Sequence, residues 1–183
     1  MGTSIVTQLQ QLVSRNIDPL KSAVLSVGSF HAGNAFNVIA DQAQLIGTVR
    51  TFDADIQNYL IERMEQVIKG ICDAMRATYS FQYIKGYPTV VNDHHITEQF
   101  AMLMNESLQN VKVEQMDPVM GGEDFSYYLQ RVPGVFFFTG AGKKEGTSYP
   151  HHHPKFDIDE RAMLVAAKAL GKATIAFLSN SFK

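Results

Sequence analysis

The sequence predicts an α/β protein with an α+β first half: an incomplete ferredoxin-like domain over residues 1–90, then part of an α/β layer over residues 91–183. Three observations carry this. The first half reads helix, strand, strand, helix, strand, which is the β-α-β-β-α-β order without its opening strand. The second half alternates helical and strand patterns around the apolar run Gly134-Val135-Phe136-Phe137-Phe138-Thr139, the signature of a strand buried on both faces. The 183 residues are 45% hydrophobic with a formal net charge of -2, as in ordinary globular chains.

Ile5, Leu9, Leu12 and Val13 recur at helical spacing until Asp18-Pro19 ends the pattern, giving a short amphipathic helix. Residues 23–30 are small and β-prone and read as a strand, followed by a turn at His31-Ala32-Gly33-Asn34. From Asp41 to Arg50 the chain alternates. Ala43, Leu45, Gly47 and Val49 share the face expected to pack on a helix, and Gln42, Gln44, Ile46, Thr48 and Arg50 share the more polar one. Asp53 is placed to cap a long helix with the stripe Ile56, Leu60, Met64, Val67, Ile68, Ile71 and Met75. Residues 79–87, with alternating Phe81 and Tyr83, read as a strand stopped by Pro88. A sheet that wants one more strand before its first helix implies a chain that starts partway through a domain.

A boundary falls near Pro88-Thr89-Val90-Val91-Asn92-Asp93. Beyond it, a helix runs through Phe100, Leu103, Met104 and Leu108, and residues 111–114 read as a short strand. Pro118 to Asp124 forms a loop that turns into a helix at Phe125-Ser126-Tyr127-Tyr128-Leu129. After the run at 134–139, Asp157 and Glu160 have capping-box spacing ahead of a last helix with Met163, Leu164, Ala167, Leu170, Ile175 and Leu178.

Composition also excludes functions. Charges of both signs are interspersed, so there is no electrostatic case for nucleic acid or an anionic membrane. No apolar run approaches the roughly 18 residues that span a bilayer, and the first residues lack a secretory pattern. The single cysteine, Cys72, precludes an internal disulfide and fits a cytoplasmic protein; between Ile71 and Met75 it reads as a core residue.

Chemistry concentrates in Tyr149-Pro150-His151-His152-His153-Pro154-Lys155-Phe156, which holds half of the six histidines after a loop with Gly140, Gly142 and Gly146. Imidazole is the commonest metal ligand and the usual base near neutral pH, and flanking prolines limit backbone freedom. Three adjacent histidines cannot wrap one ion, because neighbours in an extended loop project in different directions; a solvated polar loop is the plain alternative. Glu123 and Asp124 offer acid, base or ligand functions, yet Gly121-Gly122 before them equally marks a helix N-terminus that favours acidic residues. His94 and His95 read as exposed residues near a helix start.

In order along the chain, Gly121-Gly122-Glu123-Asp124-Phe125-Ser126, Pro133-Gly134-Val135-Phe136-Phe137-Phe138 and Pro150-His151-His152-His153-Pro154-Lys155-Phe156-Asp157 resemble the carboxy-terminal signature of a zinc-dependent amidohydrolase and metallopeptidase family. That family includes aminoacylases, glutamate carboxypeptidase, hippurate hydrolase and auxin-conjugate (IAA-amino acid) hydrolases. Upstream, Asp18-Pro19-Leu20, Gly33-Asn34-Ala35-Phe36-Asn37-Val38-Ile39-Ala40-Asp41 and Gly47-Thr48-Val49-Arg50-Thr51-Phe52 resemble its lid, which is also its dimerisation domain. Ala40 stands where the family often has proline. The resemblance spans nearly the whole chain.

It implies that residues 1–90 are a lid/dimerisation domain lacking its first strand and that residues 91–183 are the C-terminal segment of a zinc-peptidase catalytic domain. His152, two positions before Pro154, matches the metal-ligand histidine. Asn37 and Arg50 match substrate-binding residues, the arginine taking a free carboxylate, and Gly121, Gly122 and Glu123 fall where the site is lined. The implied cofactor is Zn, or Mn, Co or Ni, with one or two divalent ions in the intact enzyme and none held stably by this chain alone. The implied substrate is an N-acyl amino acid or small peptide, and the implied assembly is a homodimer through the lid, without nucleic acid or membrane. The family's other ligands and its catalytic glutamate have no match here, so the chain reads as a fragment with no catalytic residue of its own, inactive alone. The alternative is a non-catalytic dimerisation or binding module; a free-standing ferredoxin-like sensor leaves the Gly121 and His152 motifs unexplained.

Overall fold

The computed structural model describes residues 1–142 and 148–179; Gly146 of the expected glycine-rich loop lies outside the described residues. The chain has a mixed α/β fold and divides into two compact units. Unit 1 comprises Met1–Thr89 with Val119–Gly122, and unit 2 comprises Val90–Pro118 with Glu123–Lys183.

Unit 1 is built from α1 (Gly2–Asn16), β1 (Ala23–Ala32), β2 (Ala43–Thr51) and α2 (Ala54–Ala74). In α1 the apolar residues fall one turn apart, so Ile5, Leu9 and Leu12 are buried together against Leu25 of β1 and Leu60, Met64 and Cys72 of α2. Asp53 caps α2 by accepting from Asp55 N and Ile56 N. β1 and β2 pair antiparallel with Val27 opposite Gly47 and Ser29 opposite Ile46, leaving Gly28 as a bulge. The bulge brings Phe30 into register with Leu45, so Leu25, Val27 and Phe30 share a face with Val49, Gly47 and Leu45. Glycine is required at 47: a Cβ there would stand 2.5 Å from the Ser26 carbonyl oxygen.

The expected strand at residues 79–87 does not form; among the described residues the only sheet is β1 with β2. The segment lies along α2 instead. Phe81 and Tyr83 pack on the core, the Tyr79 hydroxyl donates to Glu65 at 3.4 Å and Lys85 Nζ to Asn58 at 2.8 Å. Alternating aromatics select a face, whereas a strand also needs a neighbour for its main chain.

Unit 2 is built from α3 (His94–Ser107), α4 (Ser126–Leu129) and α5 (Arg161–Leu178). Phe100, Met104 and Leu108 bury one face of the α3 region against Ala169 of α5, with Val111, Val113, Val135 and Phe137 around them. The expected strands at 111–114 and 134–139 are not formed either. The apolar run is half-buried rather than covered on both faces, and Phe138 is exposed. Its main chain is met by side chain and loop: Asn92 Nδ2 donates to Phe136 O at 2.8 Å, Phe136 N donates to Asn92 Oδ1 at 2.8 Å, and Asp93 N donates to Gly134 O. One amide side chain thus reproduces both bonds of a strand pair. The capping box is also corrected. α5 starts at Arg161, and Asp159 rather than Asp157 accepts the Arg161 N–H.

Candidate active-site residues

The histidine loop belongs to unit 2 and closes at its base through Asp159 N donating to Ala141 O at 2.9 Å. Within it, His153 N donates to Pro150 O, making a β-turn over Pro150-His151-His152-His153. His152, the third residue of that turn, has φ 67°, while His151 is not among the positive-φ residues. That is the type II pattern, whose third position favours glycine or asparagine. An ordinary side chain in the left-handed region costs about 1–2 kcal/mol, although histidine tolerates it better than most. Strain of this kind concentrates at functional positions.

The neighbours of His152 hold the turn. The Tyr149 and His153 rings stack at 4.3 Å and 12°, and the His151 ring meets Phe156 edge-on at 4.9 Å. Lys155 N donates to His153 Nδ1 at 3.0 Å, which leaves the proton of a neutral His153 ring on Nε2. Phe156 N donates to His153 O at 2.9 Å. All three histidines are exposed.

In unit 1, Arg50 pairs with Val24 across the ladder, on the face opposite Leu25 and Val49. Its Nη1 donates to Met120 O at 2.6 Å, so β2 tethers the loop that carries Gly121 and Gly122. Neither glycine is required by the backbone. Only Gly33 among the described glycines has positive φ; a Cβ on Gly121 would meet nothing within 4 Å, and one on Gly122 would only touch the Tyr87 ring. Asn37 is exposed in the β1–β2 connection, between the fully exposed Phe36 and the exposed Val38 and Ile39.

Glu123, in unit 2, is half-buried, and its carbonyl accepts from Ser126 N at 3.3 Å and Ser126 Oγ at 2.8 Å. It therefore opens the turn into α4, and Ser126 is fully buried. His94 and His95 sit in the first turn of α3 beside Glu98 and Gln99. Among the described residues no group of three His, Cys, Asp or Glu side chains gathers to hold a metal. Within each unit, the structure joins Arg50 to the Gly121 loop and flanks His152 with the Tyr149–His153 stack and the His151–Phe156 contact. Sequence reading placed Tyr149 in the histidine stretch without giving it a role, and it missed the parts played by Asn92 and the Met120 carbonyl. An aromatic residue just ahead of the turn was the visible signal for the first, while the other two act through long-range main-chain bonds that leave no local pattern.

Residues 4–175 match the model of peptidase family M20/M25/M40. "Putative amidohydrolase YhaA" of Bacillus subtilis (strain 168) is 50% identical over 178 residues, which are 97% of this chain and 45% of the relative. The N-acetyl-L-cysteine deacetylase of the same organism is 35% identical over 182 residues, 98% of this chain and 42% of the relative. The crystal structure of Bacillus subtilis YXEP, described as a dinuclear metal-binding peptidase of the M20 family, superposes with a TM-score of 0.71 at 32% identity, covering 97% of this chain and 45% of that one. The chain spans about half the length of the curated relatives it matches. With the family model matched along nearly its whole length, the chain belongs to peptidase family M20/M25/M40.

Proposed function

We propose that this chain supplies one wall of a metal-dependent amidohydrolase that cleaves the amide bond of N-acyl amino acids or small peptide-like substrates. The observation that carries the reading is the backbone of His152: a type II turn holds a histidine, two residues before Pro154, where glycine costs least. The residues present fit one corner of a metal site rather than a whole one, since no three candidate ligands gather among the described residues. His152 is the donor this chain offers, with the remaining ligands and the catalytic base outside these residues. A divalent ion such as Zn, Mn, Co or Ni, held in part by His152, would supply Lewis acidity to polarise the amide carbonyl and acidify water.

The chain's own part is binding and orientation. The Arg50 guanidinium grips the free carboxylate of the amino-acid moiety bidentately, exchanging the Met120 carbonyl for it. Asn37, exposed between apolar loop residues, helps Arg50 hold the amino-acid end. Gly121 and Gly122, glycines that neither φ nor crowding demands, leave room for substrate beside Glu123. Residues 1–90 act as lid and homodimer interface, and residues 91–183 as the C-terminal segment of the catalytic domain.

In the whole gene product, His152→Ala removes bound metal and lowers kcat/KM at least about 100-fold; metal content by mass spectrometry and hydrolysis of N-acetyl amino acids are the readouts. Wild-type metal content in that variant overturns the assignment. The antiparallel β1–β2 pair of unit 1, which carries no further strand among the described residues and so offers open edges, favours a second reading, a non-catalytic dimerisation or binding module. That reading expects a wild-type gene product that dimerises in light scattering while neither retaining metal nor hydrolysing any amide.

A further inference from the structure

We infer that Tyr149 and His153 are positioning residues for His152, forming a clamp that locks the left-handed turn on which its imidazole is presented. The inference rests on the reading of His152 as a metal donor. A type II turn with histidine at its third position is unfavourable by itself, and such a conformation persists only where the surroundings over-determine it. Here they do. Tyr149 immediately precedes the turn and His153 closes it, and their rings stack at 4.3 Å and 12°. The two flanks of the turn are therefore joined by a contact that excludes His152 itself.

Hydrogen bonds complete the lock. His153 N donates to Pro150 O at 3.2 Å, Phe156 N to His153 O at 2.9 Å and Lys155 N to His153 Nδ1 at 3.0 Å. Lys155 Nζ lies 5.9 Å from the centre of the Tyr149 ring, adding a cation–π contact to the stack. Because Nδ1 of His153 is already an acceptor for a main-chain N–H, that nitrogen is occupied, and the ring serves as a wall of the turn. The three histidines accordingly divide their work: His151 packs edge-on to Phe156, His153 stacks on Tyr149, and His152 is the one whose backbone bears the strain.

The clamp is tested in two measurements on Tyr149→Ala, Tyr149→Phe, His153→Ala and His152→Ala. Solution NMR of the 183-residue chain reads φ at residue 152 through its HN–Hα coupling and carbon shifts. Metal retention and the visible spectrum of the cobalt-substituted whole gene product read the donor. Tyr149→Ala and His153→Ala are expected to lose the positive φ, weaken metal affinity about tenfold and alter the cobalt spectrum, with the thermal midpoint held. Tyr149→Phe, which keeps the stack, is expected to match the wild type. Tyr149→Ala with unchanged φ and affinity overturns the clamp. The underlying metal reading fails separately, when His152→Ala leaves metal content unchanged while Tyr149→Ala still relaxes the turn.

Discussion

Unit 1 closes a core from three directions, whereas unit 2 spends most of its chain on loops around a thin one. In unit 1, α1, β1 and α2 each contribute large side chains, and Leu60 is fully buried. In unit 2, α3 buries Phe100 and Met104, but α5 meets them through Ala169, leaving Leu164, Leu170 and Ile175 more than half exposed. Alanine lets two helices approach closely while contributing little apolar area of its own. The lesson is that apolar spacing in a helix does not identify which residues are covered. It also explains why the strained turn at His152 depends on its own stacking and hydrogen bonds: the core of unit 2 does not reach it.

The comparison breaks most easily at two leucines. Leu60→Ala removes a side chain with no exposure and is expected to cost about 3 kcal/mol, read as a lower urea midpoint and as lost amide protection across unit 1. Leu170→Ala, at 57% exposure, is expected to stay within about 0.5 kcal/mol of wild type. Equal losses in the two variants would mean that α5 is covered as thoroughly as α2. A smaller effect sharpens the account of unit 2. Asn92→Ala deletes both bonds to Phe136 and leaves a half-buried N–H and carbonyl unmatched, costing about 2 kcal/mol. Accelerated hydrogen exchange at the Phe136 amide is the measurement, and unchanged exchange there would remove Asn92 from the role of strand partner.

What was legible in the sequence follows the range of the interactions. The helices and the β1–β2 pair declare themselves through local signals: apolar residues one turn apart in α1, the Asp53 cap, and alternation up to Arg50. Residues 79–87 and 134–139 carry equally strong strand signals and form none, because their main chains bond elsewhere or run beside α2, and pairing is decided by residues distant in sequence. The site shows the same division. His152 and Arg50 were visible as residue types within ordered motifs. The turn that strains His152, the Tyr149 stack and the Met120 carbonyl on Arg50 were not, since each depends on backbone geometry or on a partner 70 residues away.

The smallest expected effect lies in unit 1, at the start of α2, and concerns pH. The Asp53 carboxyl is held below the ordinary carboxylate range, first by its hydrogen bond from Lys21 and then by the Ile56 N–H; Lys21 Nζ stands 2.6 Å from Asp53 Oδ2. Lys21 is correspondingly raised by the same partner. A carboxyl whose folded pKa lies below its unfolded value, about 3.9, contributes stability that is fully present above that value. The contribution disappears as pH falls through the folded pKa. Lys21→Met should therefore move the Asp53 titration, followed by carboxyl carbon NMR, partway back toward the ordinary value, since the Ile56 and Asp55 N–H groups still hold the ionised form. Asp53→Asn keeps a cap for α2 but removes the ionisation, so its unfolding midpoint should depend less on pH below about 5. Added salt should weaken the Lys21 contribution and spare the N–H bonds. If Lys21→Met left the Asp53 titration unmoved, the helix cap alone would account for the depressed pKa.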